Sequence, residues 1–137
     1  MSGEKNLQKL IASMTPILIE QEYIFGTLST YTNEQISLLN PVSTFQEAEG
    51  LTVVLQKSKA DEYNIPYSGV FSCITLSVHS SLDAVGLTAA VSTKLTQVNI
   101  SANVIAAYYH DHVFVASKDA QRALSALNEL VRQGIEY

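Results

Sequence analysis

The chain has little cysteine, no tryptophan and no long apolar run. Its 137 residues include one Cys, three Pro and no Trp. The lone Cys73 cannot form an internal disulfide, so a reduced, cytoplasmic setting is expected. Because no run of about 18 apolar residues occurs, no membrane span is expected. The first residues, from Met1 to Asn6, lack the apolar core of a signal peptide, which argues against secretion by that route.

Positive charge is also scarce. Eight Lys and Arg residues stand against 13 Asp and Glu residues, which gives a formal net charge of −5. The basic residues form no run, so nucleic acid is not expected as a partner. The chain has no nucleophile elbow, phosphate-binding loop, Cys-x-x-Cys or His-Glu-x-x-His motif. We therefore expect neither catalytic activity nor a cofactor.

The second half of the chain has a clear order of predicted elements. Hydrophobic residues make up 47% of the chain, so a packed core is expected. The order strand, helix, strand, strand, helix is the split βαβ arrangement of ferredoxin-like folds. The predicted elements are a strand over Val70–Val78, a polar loop over His79–Gly86, a helix over Leu87–Val98, strands over Ile100–Tyr108 and His112–Ala116 around a Tyr-His-Asp turn, and a helix that begins at Ser117.

The first half is less regular. Its most linker-like stretch is Asn64–Gly69, where Pro and Gly precede a clear strand, so we predict modules over residues 1–65 and 66–137. The stretch Asn33–Phe45 permits no firm prediction. The other predicted elements are a helix over Asn6–Met14, strands over Ile17–Glu20, Tyr23–Leu28 and Gly50–Gln56, a hairpin turn with solvated acids at Glu20–Glu22, and a short helix that begins at Ser58 with Asp61 as a weak cap.

One face of the strand over Val70–Val78 is predicted to lie under the helices. Ile74, Leu76 and Val78 alternate with Cys73 and other half-polar residues, which point to the opposite face. A sheet with helices on one side leaves its other face to solvent, a partner or a ligand. Cys73 has apolar neighbours along the strand and is expected to be a buried, inert thiol.

The segment from Ser80 to Tyr108 resembles an ACT domain. Its Leu-Thr-Ala-Ala run follows Gly86, and a Tyr-His-Asp-His-Val-Phe-Val run begins at Tyr109. The resemblance is strongest to the ACT modules of aspartate kinases, and extends to small bacterial proteins with two ACT-like modules and to the arginine-sensing CASTOR type. It implies an α+β, ferredoxin-like fold with two tandem βαββαβ-type modules, antiparallel sheets and helices on one face. It also implies amino-acid binding at module interfaces and dimerisation.

The loop before the predicted helix is the first part of a candidate ligand site. Gly86 lacks a Cβ, so the backbone could approach a ligand whose carboxylate is held by first-turn N–H groups. The alternative is a glycine required for close packing. Asp83 could accept hydrogen bonds from an ammonium group or cap the helix, and Ser80 and Ser81 could donate to a ligand or satisfy the loop.

The second part of the site is implied by the resemblance, which places contacts at the start of the following strand. Asn103 lies inside that strand, where asparagine is depleted, so it has either a specific polar partner or a place at a solvated edge. Asp111 is a further candidate for positive charge on the ligand. The candidate ligand-binding residues are Ser80, Ser81, Asp83, Val85, Gly86, Leu87, Ser101, Ala102, Asn103, Val104 and Asp111.

The three histidines offer an alternative site. In a ferredoxin-like sheet the first and third strands are neighbours, which would bring His79 towards His112, with His110 two residues away. Three imidazoles could bind a transition metal. Because the resemblance implies no metal, we favour half-exposed histidines without one.

The sequence therefore predicts a non-catalytic, cytoplasmic regulatory or sensor protein that binds a free amino acid or similar small metabolite. A homodimer or higher homo-oligomer is expected, because an exposed sheet edge is usually covered. Two alternatives stay open. One is a dimerisation or interaction module without a ligand, and the other is a metal-binding protein that uses the histidines.

Overall fold

The protein consists of two compact units in the computed structural model, which describes residues 6–78 and 85–134. The central unit is Glu20–Phe71, and the terminal unit is formed by the described residues within Met1–Ile19 and Ser72–Tyr137. The elements are α1 (Leu7–Ser13), β1 (Thr15–Leu28), α2 (Asn33–Leu39), β2 (Ser43–Glu47), β3 (Gly50–Gln56), α3 (Lys57–Glu62), β4 (Phe71–Ser77), α4 (Leu87–Gln97), β5 (Asn103–Ala106), β6 (Asp111–Ala116), a 3₁₀ turn (Ser117–Asp119) and α5 (Ala120–Gln133).

The predicted α+β class is confirmed, with antiparallel strands and helices in both units. The two compact units differ in their bounds from the modules predicted over 1–65 and 66–137, because α1 and the first residues of β1 belong to the terminal unit. The module boundary at residue 65 stays a prediction about sequence units. In residues 6–78 and 85–134, no helix has the length and apolar character to cross a membrane.

The central unit has the strand order β2, β3, β1. β3 has the bounds predicted for it, and its alternating side chains Leu51, Val53 and Leu55 are buried. They pack with Ile24 and Leu28 of β1 in one apolar cluster. Since the strands are antiparallel with Tyr23 opposite Gln56, the last paired residue of β3 lies beside the middle of β1.

β1 corrects one prediction. The predicted hairpin turn at Glu20–Glu22 is wrong, because the strand continues from Thr15 to Leu28 without a break. Glu20, Gln21 and Glu22 are exposed within it. Polar side chains that face water leave an extended backbone intact, so three polar residues in a row did not indicate a turn here.

The stretch that permitted no prediction contains α2 and β2. The Thr32 hydroxyl accepts a hydrogen bond from the Gln35 N–H at 3.1 Å and caps α2. The helix ends at Asn40, whose φ of 48° is left-handed. The cap predicted for the following short helix is wrong: α3 begins at Lys57, and Asp61 bonds to the Lys57 side chain instead.

The terminal unit has the strand order β1, β4, β6, β5. β1, which comes from the first half of the chain, lies beside β4. The strand face predicted to lie under the helices is confirmed, since Ile74, Leu76 and Val78 share one core cluster with residues of α4 and α5. The helix residues in that cluster include Val91, Leu95, Leu127 and Leu130.

The hairpin of β5 and β6 is shorter than predicted. β5 begins at Asn103 rather than Ile100 and ends at Ala106 rather than Tyr108. The turn lies at residues 107–110, where the Ala107 N–H donates to the His110 carbonyl at 3.1 Å, so it comes earlier than the predicted Tyr-His-Asp turn.

Candidate functional site

Gly86 is the N-cap residue that precedes α4, and its backbone conformation is unfavourable for most other residues. Its φ is 100°, which is left-handed. A Cβ at this position would lie 3.0 Å from the Cδ2 atom of Leu7 in α1. The left-handed backbone therefore favours glycine here, the close contact with Leu7 adds to that preference, and neither effect depends on a ligand. The neighbouring candidates Ser80, Ser81 and Asp83 lie in residues 79–84, outside the described part of the chain.

The first turn of α4 is nevertheless suited to an anion. Gly86 has no side chain with which to cap the helix, and its carbonyl accepts the Ala90 N–H at 2.8 Å. Among the described residues, no N-cap side chain accepts from the N–H groups at the start of this 11-residue helix. Val85 is 83% exposed, whereas Leu87 is buried in the core and can offer a ligand only its backbone.

The four candidates at the start of β5 divide into two pairs. Ala102 and Val104 pack against the apolar core, whereas Ser101 and Asn103 are exposed. β5 is at one end of the strand order. The Asn103 side-chain amide donates a long hydrogen bond, at 3.4 Å, to the Phe114 carbonyl of the paired strand. The solvated edge is thus the alternative that the structure supports for Asn103.

Two side-chain contacts fix the direction of β4 against β6. Thr75 Oγ1 lies 3.0 Å from His112 Nδ1, and Ser72 Oγ lies 3.0 Å from Ser117 Oγ. Later residues of β4 thus lie beside earlier residues of β6, and the strands are antiparallel neighbours, as predicted. β4 therefore ends near the 107–110 turn, which we call the turn end. β5 begins at the opposite end, which we call the far end.

The helices place Gly86 at the turn end. Arg122 donates from Nη2 to the Val98 carbonyl at 2.6 Å, so the C-terminus of α4 lies beside the start of α5, at the far end. Lys94 of α4 forms an ion pair with Glu129 of α5 at 2.6 Å, so the two helices are antiparallel. α4 then runs back about 16 Å to Gly86.

The two parts of the candidate site are therefore apart within one copy of the chain. Asn103 is opposite Phe114, whereas Ala106, at the turn end, is opposite Asp111. Ala106 is three positions along the strand from Asn103, a distance of about 10 Å. The structure brings Asp111 and Gly86 to the same end of the unit, but it leaves Ser101 and Asn103 at the other.

The titratable groups near the turn are half-buried. Burial raises the pKa of the Asp111 carboxyl above its usual range. Burial, and secondarily the charge of His110, lowers the pKa of His112. His79, the third member of the predicted histidine cluster, lies outside the described residues. Within residues 6–78 and 85–134, no three His, Cys, Asp or Glu side chains form a group that could hold a metal.

Cys73 lies in the middle of β4. It is 5% exposed, and burial raises the pKa of its thiol. The thiolate that nucleophilic or redox chemistry requires is therefore disfavoured. The prediction of a buried thiol is confirmed.

Sequence reasoning missed a cleft in the central unit. It is an open cleft of about 340 Å³, and it lies where β1, the end of β3 and the start of α3 meet. One sequence signal could have indicated part of this cleft. Lys57 and Asp61 are four residues apart, a spacing that permits an ion pair on a helix. The lining residues are Gln21, Glu22, Gln56, Lys57, Ser58 and Asp61.

Fold and site together define an α+β protein with antiparallel sheets, ferredoxin-like units and an anion-compatible helix start. The chain belongs to the ACT domain family, which matches residues 2–72 in one form and residues 70–129 in another. ACT domains are typically ligand-binding regulatory modules. No curated protein matches the chain.

Solved structures share this fold. A Vibrio cholerae protein of unknown function, described as a possible transport protein, is 50% identical, with a TM-score of 0.83 over 93% of this chain and 97% of that chain. An Agobacterium tumefaciens protein is 18% identical, with a TM-score of 0.70 over 86% and 89%. The ligand-free regulatory subunit of aspartate kinase from Thermus thermophilus is 8% identical, with a TM-score of 0.58 over 83% and 95%. The last two demonstrate likeness of fold alone.

Proposed function

We propose that this protein is a non-catalytic, cytoplasmic regulatory protein that binds a free amino acid or a similar small metabolite. It acts as a homodimer or a larger closed oligomer. One observation carries the proposal. The α4 start at Gly86 and the exposed Ser101 and Asn103 lie at opposite ends of one unit, so a site that uses both needs a second copy.

The chemistry of the shared site follows from its parts. The first-turn N–H groups of α4 hold the α-carboxylate of the ligand, with help from the helix dipole. Asp111, at the same end, accepts the α-ammonium group. Ser101 and Asn103 of the second copy supply neutral hydrogen bonds. Ser80, Ser81 and Asp83, which lie in residues 79–84 outside the described part of the chain, stay candidates for further contacts with the ligand.

Regulation follows from sharing the site between copies. A ligand held by two copies favours the arrangement in which both parts meet. It shifts that equilibrium by no more than its difference in affinity for the two arrangements. The output is therefore a change in the arrangement or number of subunits, which a partner enzyme or transporter would sense.

The test is calorimetric titration with each of the twenty amino acids, followed by the substitution Val85→Asp. Val85 is 83% exposed, so the new carboxylate costs little stability. Placed beside the first turn of α4, it competes with the carboxylate of the ligand, and we expect affinity to fall at least about tenfold.

Val42→Asp is the matched control, because Val42 is 54% exposed and lies in the central unit. It should bind like the unsubstituted protein. Unchanged affinity in the Val85→Asp variant would remove the α4 start from the site.

A second candidate function, a ligand-free interaction module, is favoured by one observation. Phe45 is 71% exposed on β2, which is an end strand of the order. Exposed aromatic side chains on sheet edges suit protein contacts. Titration with no heat for any amino acid, together with a stable dimer, would favour this alternative.

A further inference from the structure

The unpredicted cleft of the central unit contains charges of both signs. Glu22 comes from β1, Gln56 ends β3, and Lys57 and Asp61 come from α3. Its volume of about 340 Å³ lies at the lower end of the range for small-molecule sites, which is roughly 300–1,000 Å³. Its polar and charged lining suits a small, hydrophilic ligand.

One side of the cleft is held in place by a network of charged hydrogen bonds. Lys57 donates from Nζ to Asp61 Oδ2 at 2.9 Å, and the Tyr67 hydroxyl donates to Asp61 Oδ1 at 2.6 Å. The bond from Tyr67, and then that from Lys57, lowers the pKa of Asp61. The Asp61 bond raises the pKa of Lys57. Both groups are therefore charged at neutral pH, and the ammonium of Lys57 is oriented by a carboxylate whose two oxygens are both engaged.

The other side of the cleft carries a carboxylate without a cation. Within residues 6–78 and 85–134, Glu22 forms no ion pair. It projects from an exposed part of β1, just before the residue that pairs with Gln56. A cationic group of a ligand would meet this carboxylate, while an anionic group would meet Lys57 and the Ser58 hydroxyl.

We propose that this cleft is a binding site for a small zwitterion of the amino-acid class, separate from the site at Gly86. Glu22 accepts the α-ammonium group. Lys57 and Ser58 donate to the α-carboxylate, and Gln21 and Gln56 bind the remaining polar groups. The site lies wholly within the central unit, so it needs no second copy of the chain.

Residue-resolved NMR separates this site from the one at Gly86. The ¹⁵N-labelled full chain is titrated with each of the twenty amino acids. Two half-molecules of the amino acid that gives the largest shifts are then titrated. One is the matched carboxylic acid without the amine, and the other is the matched amine without the carboxylate. We expect shifts at the amides of residues 21, 22 and 56–58 with the amino acid, and much weaker shifts with either half-molecule.

Glu22→Gln removes the charge and keeps the shape. It should weaken binding at the cleft amides about tenfold, as expected for loss of one charge-assisted hydrogen bond in a partly exposed site. Lys57→Gln should weaken binding similarly. Glu20→Gln and Lys59→Gln, which change neighbouring charges outside the cleft, should leave the cleft shifts unchanged.

The proposal is overturned if no amino acid shifts the cleft amides at about 10 mM, or if Glu22→Gln binds as the unsubstituted protein does. Shifts confined to the amides near Gly86 would contradict ligand binding in the cleft and support the function proposed above. Shifts confined to the cleft would support the cleft and remove the evidence for a ligand at Gly86.

Discussion

At the scale of single residues, Gly86 is held by two constraints that a ligand does not create. Its φ of 100° is strained for any L-residue, and a Cβ would lie 3.0 Å from Leu7 Cδ2. Substitution of Gly86 is therefore a poor test of ligand binding, because loss of binding and loss of stability would occur together. The exposed neighbour Val85 reports on the same helix start without this complication.

Gly86→Ala should destabilise the protein by about 1–2 kcal/mol, because the left-handed backbone strains the new side chain. Adding Leu7→Ala to that variant removes the contact but not the strain, so the cost of Gly86→Ala should decrease without vanishing. Urea denaturation measures both variants. Gly69→Ala is the control for backbone strain alone, because Gly69 has no left-handed φ although its added Cβ would lie 3.3 Å from Phe71 Cε2. Equal stability of Gly86→Ala and the unsubstituted protein would contradict the left-handed conformation.

Asp111 makes stability depend on pH. Burial raises its pKa in the folded state, so the folded state holds the proton more tightly than the unfolded chain does. The resulting stabilisation is present below the ordinary pKa of Asp, about 4, and is lost as pH rises through the raised value. Asp111→Asn avoids that loss.

The variant Asp111→Asn should therefore melt at a higher temperature than the unsubstituted protein at pH 7, and the difference should disappear near about pH 3. Thermal melts across this range measure it. The exposed Glu49 gives the control substitution Glu49→Gln, for which no such trend is expected. A lower melting temperature for Asp111→Asn at pH 7 would contradict the account.

At the scale of elements, periodic segments were predictable and irregular ones were not. The sequence predicted α4 and α5 because Val91, Leu95 and Leu127 belong to apolar stripes at helical spacing. The short α2 has no comparable stripe. Its limits depend on the Thr32 cap and the left-handed Asn40, whose roles appear only once the backbone is known. The continuity of β1 was hidden by its run of exposed polar residues.

The cap of α2 gives a prediction at this scale. Thr32→Ala removes the oxygen that accepts the Gln35 N–H and should cost about 1 kcal/mol of stability. Thr32→Asp should restore that stability, because Asp caps helices at least as well as Thr. Urea denaturation of the three proteins measures this series. Thr30→Ala, two residues before the cap, should change stability little. Loss of stability in Thr32→Asp equal to that in Thr32→Ala would show that the cap bond is unimportant.

At the scale of the whole molecule, the residues of the candidate site could be predicted but their arrangement could not. The ACT resemblance indicated Gly86 and the start of the following strand. That the two lie at opposite ends of a unit depends on long-range pairing, through contacts such as Thr75–His112 and Arg122–Val98. The cleft at Glu22 was missed for the same reason, because β1 and α3 are distant in sequence.

The central claim is that one ligand site is built by two copies of the chain, and subunit mixing tests it most directly. The variant Val85→Asp blocks the α4 start. Asn103→Trp fills the space at the far end, where an exposed strand position tolerates an aromatic residue. Each variant alone should bind the ligand at least about tenfold more weakly than the unsubstituted protein does. A mixed dimer has one site with both substitutions and one site with neither.

Calorimetry after co-refolding of the two variants therefore measures whether sites return. Random assortment into symmetric dimers should restore roughly a quarter of the sites, each with the affinity of the unsubstituted protein. A mixture of Val85→Asp with the double variant, in which every site carries a blocked α4 start, should restore none. If mixed dimers form, as seen by native mass spectrometry, but no binding returns, the site is not shared between copies and the central claim is contradicted.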